Sequence, residues 1–269
     1  MTDFFPDDPD LNRAAADARR TIGFFWRELE WENHRIIPAL DMSAVKFALF
    51  EAGADREAAL AADPPQVEYI WMSDPMFDGR EIRGTLVNDP HFLKGYEAGQ
   101  AMSVSPDDVV DWMYVSNDDV FGGFTVEVIR IRQSDEERDA HDEAWGLDFG
   151  EVGEIFVIPR EYWPDDEEPE EFEAYLEAAR QIEHPMSINM RESLQDALKK
   201  EPAMLKTPDY RGLPMLHAMS LAGSDDGVEE CLKAGADPAE AAGNGLTPLD
   251  IATAMNWPRV VARLKTAVG

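Results

Sequence analysis

The side chains best able to ligate a metal or carry nucleophilic chemistry are five histidines, His34, His91, His141, His184 and His217, and one cysteine, Cys231. No two histidines stand three or four residues apart, the spacing a helical metal site needs. A single cysteine can build neither a zinc ribbon nor a Cys-x-x-Cys redox pair. The sequence has no Gly-x-x-x-x-Gly-Lys loop, Gly-x-Ser-x-Gly elbow or Gly-x-Gly-x-x-Gly turn, so nothing in it cradles a phosphate. Carboxylates remain. The run Asp165-Asp166-Glu167-Glu168 lacks the alternating ligands and central glycine of a calcium loop and reads as a solvated linker. Asp78, Asn88 and Asp111, with Trp112 beside the last, can converge at strand ends as a small pocket. The plainer reading makes Asp111 a turn cap at a strand start and Gly122-Gly123 a hairpin turn or bulge. These residues point to no catalytic group, metal or cofactor.

The elements that must position them follow from periodicity. Leu11, Ala14, Ala15, Ala18, Ile22, Phe25, Trp26 and Leu29 recur at three- and four-residue steps, which predicts a helix over about Asp10 to Trp31. After Pro38 the period becomes two. Val45, Phe47 and Leu49 alternate, as do Val67, Tyr69 and Trp71, and then Ile82 and Leu86 between Glu81, Arg83 and Thr85; these predict strands with one wet face. Further strands are expected over Gln100 to Val104, Asp111 to Val115 and Phe124 to Arg132. Turn residues separate them at Asp63-Pro64-Pro65, Asp74-Pro75, Asp78-Gly79, Asn88-Asp89-Pro90 and Ser105-Pro106-Asp107. Helical spacing returns in Glu170 to Glu183 and in Arg191 to Lys200. The expected class is α+β: an antiparallel sheet with a leading helix, an acidic connecting segment carrying a helix, and a short all-α array.

Of the 269 residues, 44% are hydrophobic and 10% aromatic, too apolar for a disordered chain. Acids outnumber bases 55 to 24, a net charge of −31, which excludes the ordinary chemistry of nucleic-acid and anionic-membrane binding. The excess is uneven. Between Ser134 and Glu183 stand 19 acids against Arg138, Arg160 and Arg180, and this stretch predicts a three-part organisation: 1–133, 134–183 and 184–269. No apolar run has the length of a membrane span, the start carries neither the basic nor the apolar part of a signal peptide, and Cys231 has no internal partner; a reducing cytoplasm is the expected setting.

Two stretches carry resemblances. Gly212-Leu213-Pro214-Met215-Leu216-His217-Ala218-Met219 recurs 33 residues later as Gly245-Leu246-Thr247-Pro248-Leu249-Asp250-Ile251-Ala252. Between them lie Val228, Cys231 and Leu232 at helical spacing and then Ala234-Gly235-Ala236-Asp237. This closely resembles the ankyrin repeat. The resemblance implies that Thr247-Pro248 starts a first helix, that Gly235 closes a second in a left-handed turn, that His217 bonds to the neighbouring turn rather than catalysing, and that Cys231 is a small buried residue. Pro214-Met215 in place of Thr-Pro is a departure, and Asn189 to Arg211 reads as a degenerate preceding repeat. Glu51-Ala52-Gly53-Ala54-Asp55 imitates the close of a repeat but reads as a plain turn.

In the first part, Lys46-Phe47, Glu68-Tyr69-Ile70-Trp71-Met72, Phe77-Asp78-Gly79, Gly84 to Pro90, Gly99, Asp111-Trp112-Met113-Tyr114 and Gly122-Gly123-Phe124-Thr125 together resemble the YegJ-like family of bacterial domains of unknown function, over about Leu11 to Arg132. That family brings no chemistry. Joined to ankyrin-like repeats it implies a bacterial modular protein, and small acidic proteins of this sort often act as immunity proteins.

The functional expectation is therefore a non-catalytic binding protein that covers the active face of a basic toxin or effector. Its contacts are expected at the repeat tips, Asp209, Tyr210, Arg211 and Asn244, and along Asp165, Asp166, Glu167 and Glu168. The alternative is an enzyme or small-ligand sensor with a pocket around Asp78, Asn88, Asp111 and Trp112.

Overall fold

A computed structural model describes residues 4–164 and 168–269. The chain divides into two compact units. The first comprises residues up to Arg20 together with Pro38–Phe156; the second comprises Thr21–Ile37 together with Val157–Gly269. These limits cut the acidic stretch in two, so the helix Asp135–Trp145 lies in the sheet unit and residues from Val157 onward in the helical one. They differ in this from the divisions at 133 and 183. The leading helix, α1 (Pro9–Glu32), gives its first turns to one unit and its last to the other.

The sheet unit is built on six antiparallel strands, β1 (Leu40–Leu49), β2 (Glu68–Phe77), β3 (Ile82–Leu86), β4 (Ala101–Val104), β5 (Val109–Ser116) and β6 (Asp119–Gly122), in the order β4-β3-β2-β1-β5-β6. The class is α+β. The expected wet face is absent from β5, where every residue from Val109 to Val115 is buried, while β1 exposes Asp41 and β2 exposes Asp74 and Met76. Neighbouring residues on a strand point to opposite faces, and both faces at β5 are covered. Trp112 donates its indole N–H to the Ala18 carbonyl of α1 at 2.9 Å, while Met113 packs with Ala44, Trp71 and Val126.

Two local expectations are corrected. Phe124–Ile131 is a helix, α3, where period-two alternation predicted a strand. The hairpin between β5 and β6 turns at Asn117-Asp118, both in left-handed conformation, rather than at Gly122-Gly123. Gly122 instead lets β6 lie against β5: a Cβ there would stand 2.2 Å from the Trp112 carbonyl oxygen. Gly123, at φ 73°, occupies the N-cap of α3. The Glu51–Asp55 turn is present and leads into a short helix, α2 (Arg56–Ala61), capped by Asp55. The last helix of this unit is α4 (Asp135–Trp145), held by a capping box between Ser134 and Glu137.

The helical unit contains α5 (Phe172–Ala179), α6 (Pro185–Lys200), α7 (Met215–Leu221), α8 (Asp225–Lys233), α9 (Pro248–Ala254) and α10 (Pro258–Val268). Helix α7 packs on α8 and α9, α10 on α9 and α8, and α6 on α8, the stacking of ankyrin-type helix pairs. Thr247 and Asp250 form a capping box around Pro248, as the Thr-Pro reading requires, whereas Pro214 offers α7 no side-chain cap. Gly235 closes α8 at φ +94°. Trp257, 3% exposed, donates to the Leu221 carbonyl at 3.0 Å and ties the two pairs together.

Candidate functional site

The four residues expected to make a pocket in the sheet unit are not brought together. Lys46 of β1 stands abreast of Asp111 on β5 and of Trp71 on β2. Asp78 lies seven residues beyond Trp71, just past the end of β2. There it holds the β2–β3 turn: Oδ1 accepts from the Arg80 and Glu81 amides at 2.9 Å, and Oδ2 pairs with Arg83 at 2.6 Å. Asn88 is exposed beyond the far end of β3, with its amide on the Asp89 carbonyl. Trp112 is fully buried.

Asp111, also fully buried, is a cap supplied across the fold. Oδ1 accepts from the Trp112 and Phe124 amides at 2.8 and 2.9 Å. Oδ2 accepts from the Thr125 amide and hydroxyl at 2.7 and 2.6 Å. The carboxylate thus satisfies the first amides of α3 and fixes that helix to the strand. Burial pushes its pKa up, against these bonds and the charge of Lys46. Lys46 reaches Thr125 Oγ1 at 3.4 Å and lies 5.5 Å from the Trp71 ring centre; burial pulls its ammonium down, with Asp111 opposing. Lys46 was missed as a site residue. Its signal is a lysine inside the apolar run Val45 to Leu49. Nearby, Glu68 accepts from the amides of His91, Phe92 and Leu93 at 2.5, 2.8 and 2.7 Å. Burial works against its charge, but the three amides hold the carboxyl below its ordinary value.

In the helical unit, His217 Nε2 stands 3.2 Å from the Leu246 carbonyl of the next repeat, the structural bond expected of it. Cys231 is fully buried, and burial pushes its thiol up to about 12, which keeps it protonated and inert. A second buried polar cluster was not foreseen. Glu28 Oε2 lies 3.0 Å from both Tyr162 Oη and His184 Nε2, and His184 stacks on Trp31. The His184 Nδ1 accepts from the Met186 amide at 3.0 Å and so caps α6. That bond requires an unprotonated Nδ1, and burial accordingly pulls the imidazole pKa down.

The tip residues divide. Asp209 Oδ1 accepts from the amides of Arg211 and Leu213 at 2.8 and 3.0 Å, and Arg211 is nearly buried between Asp209 and Glu30, each at 2.5 Å. Asn244 is half-buried and turns its own loop by accepting from the Leu246 amide. Only Tyr210 of the four projects, 64% exposed, with Asn33 donating to its hydroxyl at 3.0 Å. Asp165, Asp166 and Glu167 lie outside the described residues, and Glu168 is half-buried.

Beside this tip is a cavity of about 160 Å³. Trp31, Met190, Leu194, Leu213, Met215 and Met219 line it together with Glu30, His34, Asp209 and Arg191. No group of three or more His, Cys, Asp or Glu residues among the described residues is placed to hold a metal ion. No helix among them is long and apolar enough to cross a membrane.

Comparison with known proteins agrees with both halves of the architecture. Residues 8–149 match a family described as an uncharacterized protein conserved in bacteria, DUF2314. The chain belongs to this bacterial family. Within DUF2314 the matched stretch takes in the whole sheet, with Lys46, Trp71, Asp111 and Thr125. A protein of Neisseria meningitidis serogroup B, provisionally named an ankyrin repeat protein, is 38% identical over 259 residues, covering 96% of this chain and 94% of that one. The uncharacterized protein YegJ of Escherichia coli K12 is 30% identical over 77 residues, 29% of this chain and 50% of YegJ. No solved structure matches this DUF2314 protein.

Proposed function

We propose that this is a non-catalytic protein-binding protein that meets a basic partner with the tips of its helical unit. The observation that carries the reading is Tyr210, an exposed aromatic beside a backbone that Asp209 and the Arg211–Glu30 pair hold in place. A ring already positioned loses little freedom on binding, which is the property of residues that dominate interfaces. The net charge of −31 favours basic partners and speeds their capture. The name of the Neisseria relative is in keeping with protein interaction. The finer reading is an immunity protein: enzymes that act on nucleic acid carry basic sites, and an acidic inhibitor can cover one. The Asp111 network is consumed in holding α3, which counts against an enzyme or sensor built on it.

The test is kinetic. With a partner co-purified from the native organism and identified by mass spectrometry, Tyr210→Ala should raise the dissociation rate by about tenfold or more. Added salt should slow association far more than it changes dissociation. Co-expression should protect cells from that partner. An unchanged dissociation rate would move the contact away from Tyr210, and association indifferent to salt would leave the charge as a solubility device.

A further inference from the structure

The charged side chains lining the cavity of the helical unit are already paired within the protein. Arg211 stands 2.5 Å from both Glu30 and Asp209. Arg191 reaches Asp226, Glu229 and Glu230 at 2.5, 2.6 and 2.9 Å, and Lys233 brings a second cation to the last two. The hydroxyls of the wall are taken as well: Ser187 bonds to Glu183 and Ser224, and Thr207 donates to the Ala203 carbonyl. A charged molecule entering here would give up water and gain no free counter-charge, which counts against an ionic occupant.

Trp31 differs from these neighbours. It is 3% exposed, and its indole Nε1 is buried without a hydrogen-bond partner among the described residues. A buried N–H lacking an acceptor is destabilising, and such groups are rare in folded proteins. The rest of the wall is apolar: Met190, Leu194, Leu213, Met215 and Met219 surround about 160 Å³ together with Trp31. An apolar cavity of about 150 Å³ holds benzene. The space therefore suits one six-membered ring with a small substituent, not a drug-sized molecule. Methionine sulfur makes favourable contacts with aromatic rings, and three methionines stand in this wall beside an indole. Met190, Leu194 and Met215 are half-buried, so the cavity is reachable from solvent.

We propose that this cavity is a binding site for a small neutral aromatic molecule bearing one hydrogen-bond acceptor, its ring against the methionines and its acceptor on Trp31 Nε1. Such a site is independent of the protein-binding role: neither Tyr210 nor the surface charge takes part in it.

The experiment uses the full chain, isotope-labelled at the methionine methyls and the tryptophan indoles and titrated with acetophenone, a neutral ring carrying one carbonyl. Benzoate and benzamidinium are anionic and cationic counterparts of nearly the same size, and α-methylstyrene replaces the carbonyl by an alkene. Acetophenone should bind saturably, shift the methyl resonances of Met190, Met215 and Met219, and move the Trp31 indole N–H downfield as it gains an acceptor. α-Methylstyrene should shift the methyls and leave that N–H far less displaced. Benzoate and benzamidinium should each bind at least about tenfold more weakly than acetophenone. Ala218→Leu, at another wall position, fills part of the cavity and should weaken acetophenone by about tenfold or more. An unchanged or raised melting temperature shows that this variant is folded. Because the substitution can still disturb packing, the resonance shifts of the unaltered protein carry the test independently. No saturable binding, methyl shifts without movement of the Trp31 N–H, or charged counterparts that bind as well as acetophenone overturns the proposal.

Discussion

The sheet unit and the helical unit each bury a network of ionisable side chains, and the two are built on different terms. Around Asp111 both carboxylate oxygens carry two donors apiece, from the Trp112 amide on β5 and from the Phe124 and Thr125 groups at the start of α3. Around Glu28 the hydrogen bonding is incomplete. Arg27, 1% exposed, faces Glu28 Oε1 at 3.5 Å as an ion pair without a hydrogen bond, and its Nη2 has no hydrogen-bond partner among the described residues. Arg27 is held instead by its stack against the Phe24 and Trp257 rings at 5.1 and 5.3 Å. A satisfied buried charge fixes a structure because removing it orphans its partners. A poorly paired one contributes little, because its desolvation offsets most of its attraction.

The comparison breaks most visibly at Asp111. Asp111→Ala removes the carboxylate that accepts from three backbone amides and faces the charge of Lys46, and should cost about 3–5 kcal/mol. Urea unfolding followed by far-UV circular dichroism measures it; a loss below about 1 kcal/mol would show that α3 does not depend on this cap. Glu68→Gln keeps the shape but sets an amide against the N–H groups of His91, Phe92 and Leu93. The expected cost is about 1–3 kcal/mol, with faster hydrogen exchange at those three amides.

Acidity sharpens the contrast in the helical unit. The folded pKa of His184 lies below its unfolded value of about 6.5. Its contribution is therefore complete above that value and is lost as pH falls, when the unfolded chain takes up the proton first. Thermal melts should show stability dropping as pH passes below about 6.5. His184→Asn, which still accepts from the Met186 amide, should shrink that drop; an unchanged pH profile would assign it to another group, His217 being the other histidine held down by burial. The smallest effect is expected at Arg27. Arg27→Met preserves the stem packed on Phe24 and Trp257 and removes a poorly paired charge. Its stability should stay within about 1 kcal/mol of the parent or exceed it. A loss of several kcal/mol would show that the Arg27–Glu28 pair does hold the unit.

Much of the fold is legible locally. The period of Leu11 to Leu29 predicts the leading helix, and Thr247-Pro248 with Gly235 predicts where repeat helices start and stop, because caps and turns are written in neighbouring residues. The misread element, Phe124–Ile131, is instructive. Its alternation of Phe124, Val126 and Val128 among β-branched neighbours suits a strand, but its cap comes from Asp111, thirteen residues upstream on another element. Asp78, Asn88 and Asp111 are chemistry-bearing types near turns. Type says nothing of register, and register sets Asp78 and Asp111 far apart.

By itself, the sequence determined the class of the fold, the ankyrin-type pairs, the family resemblance and the surplus of negative charge, all properties carried by composition, period and short motifs. Only the tertiary structure decided which polar groups are consumed and which remain for a partner. It spent Asp111 on a helix cap and Arg211 on Glu30, left Tyr210 projecting, and assembled the methionine-lined cavity from residues spread between Trp31 and Met219. The physical reason is that hydrogen-bond satisfaction and cavity shape depend on contacts between distant parts of the chain, and those contacts exist only once strands have found their register and helices their neighbours.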